Sequence, residues 1–177
     1  MQVEQRKIKV WDPFVRVFHW SLVFAYAIAW ASGEDWAWLH ERAGYFILAL
    51  IGLRLVWGLV GSQHARFTDF LFGPSRTLGY LRSLRSGRPE HYLGHNPAGG
   101  WMVIALLLSL VAASVTGLMI GGGDNELWQD IHEGFANLTL VLVITHVSGV
   151  VVASVLHREN LVRAMLTGSK LRRGGNV

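Results

Sequence analysis

The chain has 177 residues, of which 51% are hydrophobic, with a mean hydropathy of +0.33, a net charge of +4 and no cysteine. This is too apolar for an ordinary water-soluble domain of its length and predicts an integral membrane protein. Without cysteine there are no disulfides, thiolate metal sites or iron–sulfur clusters, so any cofactor is held by nitrogen or oxygen donors. The basic residues lie beside apolar spans, where membrane topology accounts for them and no nucleic-acid partner is needed.

Residues 1–10 are polar and basic, with Arg6, Lys7 and Lys9. A first apolar span covers about residues 13–32: Asp12 can cap it, Pro13 sits where a missing N–H costs nothing, and Ser32-Gly33 ends it. A basic start before an apolar run also resembles a signal peptide, but this run has the length of a true span. The acidic turn Gly33-Glu34-Asp35 leads into a second span, about residues 36–60. Residues 61–95 then change character, with Arg66, Arg76, Arg82, Arg85 and Arg88 against Asp69 and Glu90. Within them Leu78, Leu81 and Leu84 recur at three-residue spacing, which reads either as a short helix on the membrane surface or as a solvated loop. Asn96-Pro97 repeats the capped, proline-led start, and the third span, about residues 98–120, carries no charge. Gly121-Gly122-Gly123 breaks it, Asp124 or Asn125 can cap the fourth helix, and that helix runs over about residues 127–156. Residues 157–177 form a basic tail with Arg158, Arg163, Lys170, Arg172 and Arg173.

The expected architecture is all-α: one membrane domain, a four-helix up-and-down bundle. Lys and Arg concentrate in the N-terminus, the 61–95 loop and the tail, whereas the other two loops carry Glu34, Asp35, Asp124 and Glu126. By the positive-inside tendency both termini and the long loop face the cytoplasm. Trp11, Trp30, Trp36, Trp38, Trp57, Trp101 and Trp128 fall near the span ends, as interface anchors do.

Four histidines lie within the spans. His132 and His146 are fourteen residues apart on the fourth helix, about 3.9 turns, so they leave nearly the same face roughly 21 Å apart along the axis. Matching by depth pairs His40 with His132 near the outer surface and His19 with His146 in the inner half. Two bis-histidine sites in an apolar helical bundle suit two non-covalent haem b groups, whose six-coordinate iron favours electron transfer over oxygen chemistry. Any one of these imidazoles alone is equally explained by a hydrogen bond to a neighbouring helix, but four at matching depths favour ligation. Arg54, deep in the inner half of the second span, and Arg16, near His19, are candidates for inner-haem propionates, with Arg42 for the outer haem; snorkelling to lipid phosphates is the alternative for each. His64, His91, His95 and His157 read as solvated or interfacial, and Gly44, Gly117, Gly134 and Gly149 as places for a porphyrin or a neighbouring helix to come close.

Val10-Trp11-Asp12-Pro13 with Arg16 and His19-Trp20, Arg54-Leu55-Val56-Trp57-Gly58, Ala65-Arg66-Phe67-Thr68-Asp69-Phe70, Gly94-His95-Asn96-Pro97 with Gly99, and the His132/His146 helix resemble, in this order, the bacterial di-haem b-type cytochromes, a family that includes the cytochrome b subunit of nickel-iron hydrogenases. The resemblance spans nearly the whole chain. It implies a bacterial inner-membrane protein in which His19, His40, His132 and His146 ligate two haem b irons. It also implies electron exchange between quinone and a periplasmic-side partner: a c-type cytochrome, a dehydrogenase or a hydrogenase. A homodimer is compatible with it. The short outward loops leave the partner open. A metal-ion or proton transporter using membrane histidines is the rival function, but it calls for carboxylates along a path, and Asp130 and Glu133 lie only at the outer end of the fourth helix. A cofactor-free anchor leaves four pairable histidines without a role.

Overall fold

The computed structural model describes residues 6–33, 35–86, 90–120 and 126–172. Four helices are long and apolar enough to cross a membrane: α1 (Pro13–Ser32), α2 (Ala37–Val60), α5 (Pro97–Ile120) and α6 (Glu126–His157). Each lies within a residue of its expected bounds, the ordinary fraying of a helix end. Between α2 and α5 come a 3-10 turn (Gln63–Ala65), α3 (Phe67–Phe70) and α4 (Pro74–Arg85); α7 (Leu161–Thr167) follows α6. The glycine break at 121–123, the caps expected from Asp124 or Asn125, and Glu34, Arg88 and Arg173 lie outside the described residues.

The bundle is built from two helical hairpins, α1 with α2 and α5 with α6, joined through α2 and α5. Its core is Phe18 and Ala25 from α1, Ile47, Leu50 and Ile51 from α2, and Leu107 and Leu110 from α5. The helix α6 supplies nothing to that core and buries a single side chain, Thr139. Outward faces of the spans are largely apolar, with Val17, Phe24, Leu59, Leu108 and Val155 all exposed, as lipid-facing surfaces require.

At one end of the bundle α1 and α5 finish and α2 and α6 start, and this is called the hairpin end; the other carries β1, β2, α7, the long loop and its helices, and is called the terminal end below. The expected caps form there. The Asp12 carboxylate accepts from Val15 N at 2.8 Å, and Asn96 Oδ1 accepts from Gly99 N at 2.7 Å. Asp12 does more than cap: its second oxygen accepts from Trp57 Nε1 at 3.1 Å and from the Ser62 hydroxyl, tying the start of α1 to the end of α2. Trp57 is therefore no lipid-interface anchor. It turns inward, stacked on Phe14 at 4.7 Å between ring centroids. Partial burial pushes the Asp12 pKa up, but the bonds from Ser62, Val15 and Trp57 outweigh it and hold the carboxyl below its usual 3.8.

The basic tail also differs from expectation. After α7, capped by Asn160 Oδ1 accepting from Arg163 N at 2.7 Å, residues Ser169–Arg172 form β2, which pairs antiparallel with β1 (Arg6–Lys9). Gly168 makes the turn with φ 79°, and an added Cβ would stand 2.7 Å from the Trp11 carbonyl oxygen, so only glycine fits. Its own carbonyl accepts from Val10 N and Trp11 N at 2.9 and 3.1 Å. Lys170, 8% exposed, donates to the Tyr92 carbonyl at 3.2 Å and lies 3.7 Å from Glu159. The loop residues 74–85 do form a helix, with Tyr80 buried and Leu78 and Leu81 exposed.

Replacing Asp12 with Ala removes the cap and both side-chain bonds, and should cost about 1–3 kcal/mol. Asp12→Asn, which keeps the cap acceptor, should lose less. Because the folded pKa lies below the unfolded one, the carboxylate's contribution is complete above the unfolded value and disappears as pH falls through the folded one. The melting-temperature gap between wild type and Asp12→Asn in detergent should therefore close in acid.

Candidate functional site

Two pairs of imidazoles face one another across the bundle. Near the hairpin end, His40 on α2 and His132 on α6 have ring centroids 5.8 Å apart with planes at 84°. Toward the terminal end, His19 on α1 and His146 on α6 are 6.5 Å apart with planes at 54°. Both contacts join α6 to helices with which it otherwise shares little packing, since α6 runs along α5. The spacing has a chemical meaning. A metal–imidazole nitrogen bond is about 2 Å, so two rings facing one another across a single ion have centroids roughly 6 Å apart.

The ring nitrogens support the same use. His40 Nδ1–H donates to the Ala29 carbonyl on α1 at 2.8 Å, and His132 Nδ1–H to the Ala113 carbonyl on α5 at 2.8 Å. That leaves Nε2 on each ring as the free lone pair, the arrangement that orients a ligating histidine. Room for the His132 ring comes from Gly117, where an added Cβ would lie 3.1 Å from Cε1 and 3.2 Å from Nδ1. At Gly44, Gly134 and Gly149 an added Cβ would meet nothing within 4 Å, so close helix packing is not what these three glycines serve.

At the terminal end the polar groups are arranged differently. Five buried side-chain atoms have no hydrogen-bond partner among the described residues: Arg16 Nε, His19 Nδ1, Tyr26 Oη, Arg54 Nη1 and His95 Nδ1. Buried orphans are uncommon, and here four of the five are at or toward the terminal end: His19 of the pair itself, with Arg16, Arg54 and His95. Arg54, only 3% exposed, donates through Nη2 to the Ala65 carbonyl at 2.9 Å, with its guanidinium 4.9 Å from the Phe67 ring and Nη1 free. Arg16 donates to the Leu166 carbonyl at the end of α7. Arg42 is exposed and has no polar partner among the described residues.

The remaining histidines are not simply solvated. His64 donates to Asp69 at 2.9 Å and His91 to Glu159 at 2.8 Å, with the His157 ring 5.3 Å from His91. His95, just outside α5, is wedged between Trp11 and Phe70, each with ring centroids 4.7 Å away. Burial, then the charges of Arg54, His146, Lys170 and His64, holds the His95 pKa well below its usual 6.5. Sequence alone places His95 among the solvated or interfacial histidines and misses its two aromatic walls, because they come from distant segments.

The donor set fits haem iron held between two imidazoles in an apolar bundle. It does not fit a tetrahedral cation site, because no group of three or more His, Cys, Asp or Glu converges among the described residues. The family model for prokaryotic cytochrome b561 matches residues 10–168, and this decides the affiliation. The chain belongs to the prokaryotic cytochrome b561 family. This b561-family protein is 24% identical to a probable Ni/Fe-hydrogenase B-type cytochrome subunit of Rhizobium leguminosarum bv. viciae, over 96% of this chain and 91% of the relative. It is 25% identical to a protein of the same description from Cupriavidus necator, over 90% of this chain and 85% of that one. No solved structure matches it. The family and the four spans make it a transmembrane b-type cytochrome of electron transport, binding haem b.

Since His95 is kept neutral by its surroundings while an unfolded chain protonates it near 6.5, stability conferred by this residue is complete above that pH and falls as acid protonates the unfolded state. In thermal melts between pH 7.5 and 5, His95→Gln should lose less stability on acidification than wild type.

Proposed function

We propose that this cytochrome carries two haem b groups, one between His40 and His132 and one between His19 and His146, and passes electrons across the inner membrane between a redox partner and quinone. The observation that supports it best is the pair of ring-to-ring approaches, 5.8 and 6.5 Å, at two levels of one helix. When bound, each haem supplies reversible one-electron chemistry at an iron with both axial positions taken. The chain's own residues hold the rings and exclude water. Arg54, with a buried nitrogen free at the terminal end, would hold a carboxylate of the His19/His146 haem, with Arg16 beside it. Arg42 is assigned to the other haem on position alone.

With the terminal end in the cytoplasm, as its Lys and Arg residues favour, the His40/His132 site lies near the periplasmic face and the His19/His146 site near the cytoplasmic one. The relatives' description as hydrogenase cytochrome subunits makes a membrane-associated hydrogenase the first partner to test. A c-type cytochrome or another dehydrogenase is the alternative electron donor or acceptor, with quinone on the opposite side.

The purified protein should be red, give b-type bands on dithionite reduction and contain two haems by pyridine haemochrome. His40→Ala and His132→Ala should each leave one haem, the same one in both. His19→Ala and His146→Ala should each leave the other. A folded wild-type protein without colour, or loss of both haems in His19→Ala with both kept in His146→Ala, refutes the assignment.

A further inference from the structure

The helix α5 provides no histidine, yet it touches the site at the hairpin end in two ways. Its Ala113 carbonyl accepts from His132 Nδ1–H at 2.8 Å, and Gly117, one turn further on, clears the space that lets the ring reach that carbonyl. The partner ring is held alike, with His40 Nδ1–H on the Ala29 carbonyl at 2.8 Å. In the other pair, His19 Nδ1 is buried without a partner, and His146 makes no ring hydrogen bond among the described residues. The two pairs have the same donor atoms but different support behind them.

That difference has a sign. An imidazole donating Nδ1–H to a carbonyl is a stronger electron donor through Nε2, and a stronger donor favours the oxidised, more positive iron. The nearby charges act in the same direction. Arg54 is a buried cation at the terminal end, partly offset by the field of Asp12, and a buried cation favours the reduced iron. At the hairpin end Asp35, Glu41, Glu126, Asp130 and Glu133 stand against Arg42 among the described residues. These are exposed and screened, so they add less than the ring hydrogen bonds do.

We infer that the haem between His40 and His132 has the lower reduction potential of the two, and that Gly117 is a positioning residue that sets it by letting His132 reach the Ala113 carbonyl. This rests on the ligand assignment proposed above. A methyl group at position 117 displaces the ring by a few tenths of an ångström, weakens the Nδ1–H bond and so raises the potential of that haem alone. Gly79, on the loop helix α4 and without a neighbour within 4 Å of an added Cβ, has no such effect.

Spectroelectrochemical titration of the full chain in detergent tests this. His146→Ala isolates the His40/His132 haem and His132→Ala the other; the first should titrate at the lower potential. In an otherwise wild-type chain, Gly117→Ala should move only the lower wave upward, whereas Gly79→Ala, on the loop helix α4, should leave both waves in place. Equal or reversed potentials in the single-haem proteins overturn the inference while leaving the ligand assignment intact. So does a Gly117→Ala protein with both waves unmoved or shifted together. Retention of both haems in His132→Ala overturns the ligand assignment and the inference with it. If Gly117→Ala releases a haem, the order in the single-haem proteins decides, since it needs no change at that glycine.

Discussion

A polar ring inside hydrocarbon must have something to do with each of its nitrogens, and that constraint shapes this bundle. Water is absent at that depth, so an unpaired imidazole nitrogen is costly. At the hairpin end, His40 and His132 settle one nitrogen each on a carbonyl of a neighbouring helix and leave the other free, with the two ring centroids 5.8 Å apart. Helix-to-helix geometry follows: α2 must lie beside α1 for Ala29 to be in reach, and α6 beside α5 for Ala113. The two tight hairpins and the two orienting hydrogen bonds are the same fact seen at two scales. The apolar core shared by α1, α2 and α5 then holds three helices in register without help from α6.

At the terminal end satisfaction is left to other groups. Asp12 gathers a backbone N–H, an indole N–H and a hydroxyl into one carboxylate, and the strand pair joins Arg6–Lys9 to Ser169–Arg172. Between these two fixtures lie the free nitrogens of Arg54 and His95. The buried Arg54 guanidinium, only partly offset by the field of Asp12, keeps one nitrogen free, which is the chemistry a carboxylate-bearing cofactor complements.

The spans were legible because hydropathy over twenty-odd residues is a strong local signal, sharpened by Asp12-Pro13 and Asn96-Pro97 at two helix starts. The depth matching of His40 with His132 and of His19 with His146 was legible because the helical rise is constant and the spans are antiparallel. What escaped depends on contacts between distant segments. A four-residue strand rich in Lys and Arg, such as Arg6–Lys9, has no apolar alternation to betray it, and its partner is at the far end of the chain. Trp57 near a span end looks like a lipid anchor until Asp12 is placed opposite its indole. The pairing of His91 with Glu159 has no local signature either, since the loop and the end of α6 meet only in three dimensions. Gly117 stood out as a small residue in an apolar helix, but which group needed the room is a question of packing that spacing does not answer.

The pairing of β1 with β2 also imposes an order of events. The Arg16 side chain and the Leu166 carbonyl it engages are 150 residues apart, and the strands are further apart still. Contacts of such range close after local ones, because the loop they span must first be brought together at an entropic cost. During synthesis the first strand waits, unpaired, while all four spans enter the bilayer. Only when α7 and Gly168 have emerged can Val10, Trp11 and Arg16 find their acceptors, so a chain interrupted before that point holds the base of its first helix by the Asp12 contacts to α2 alone.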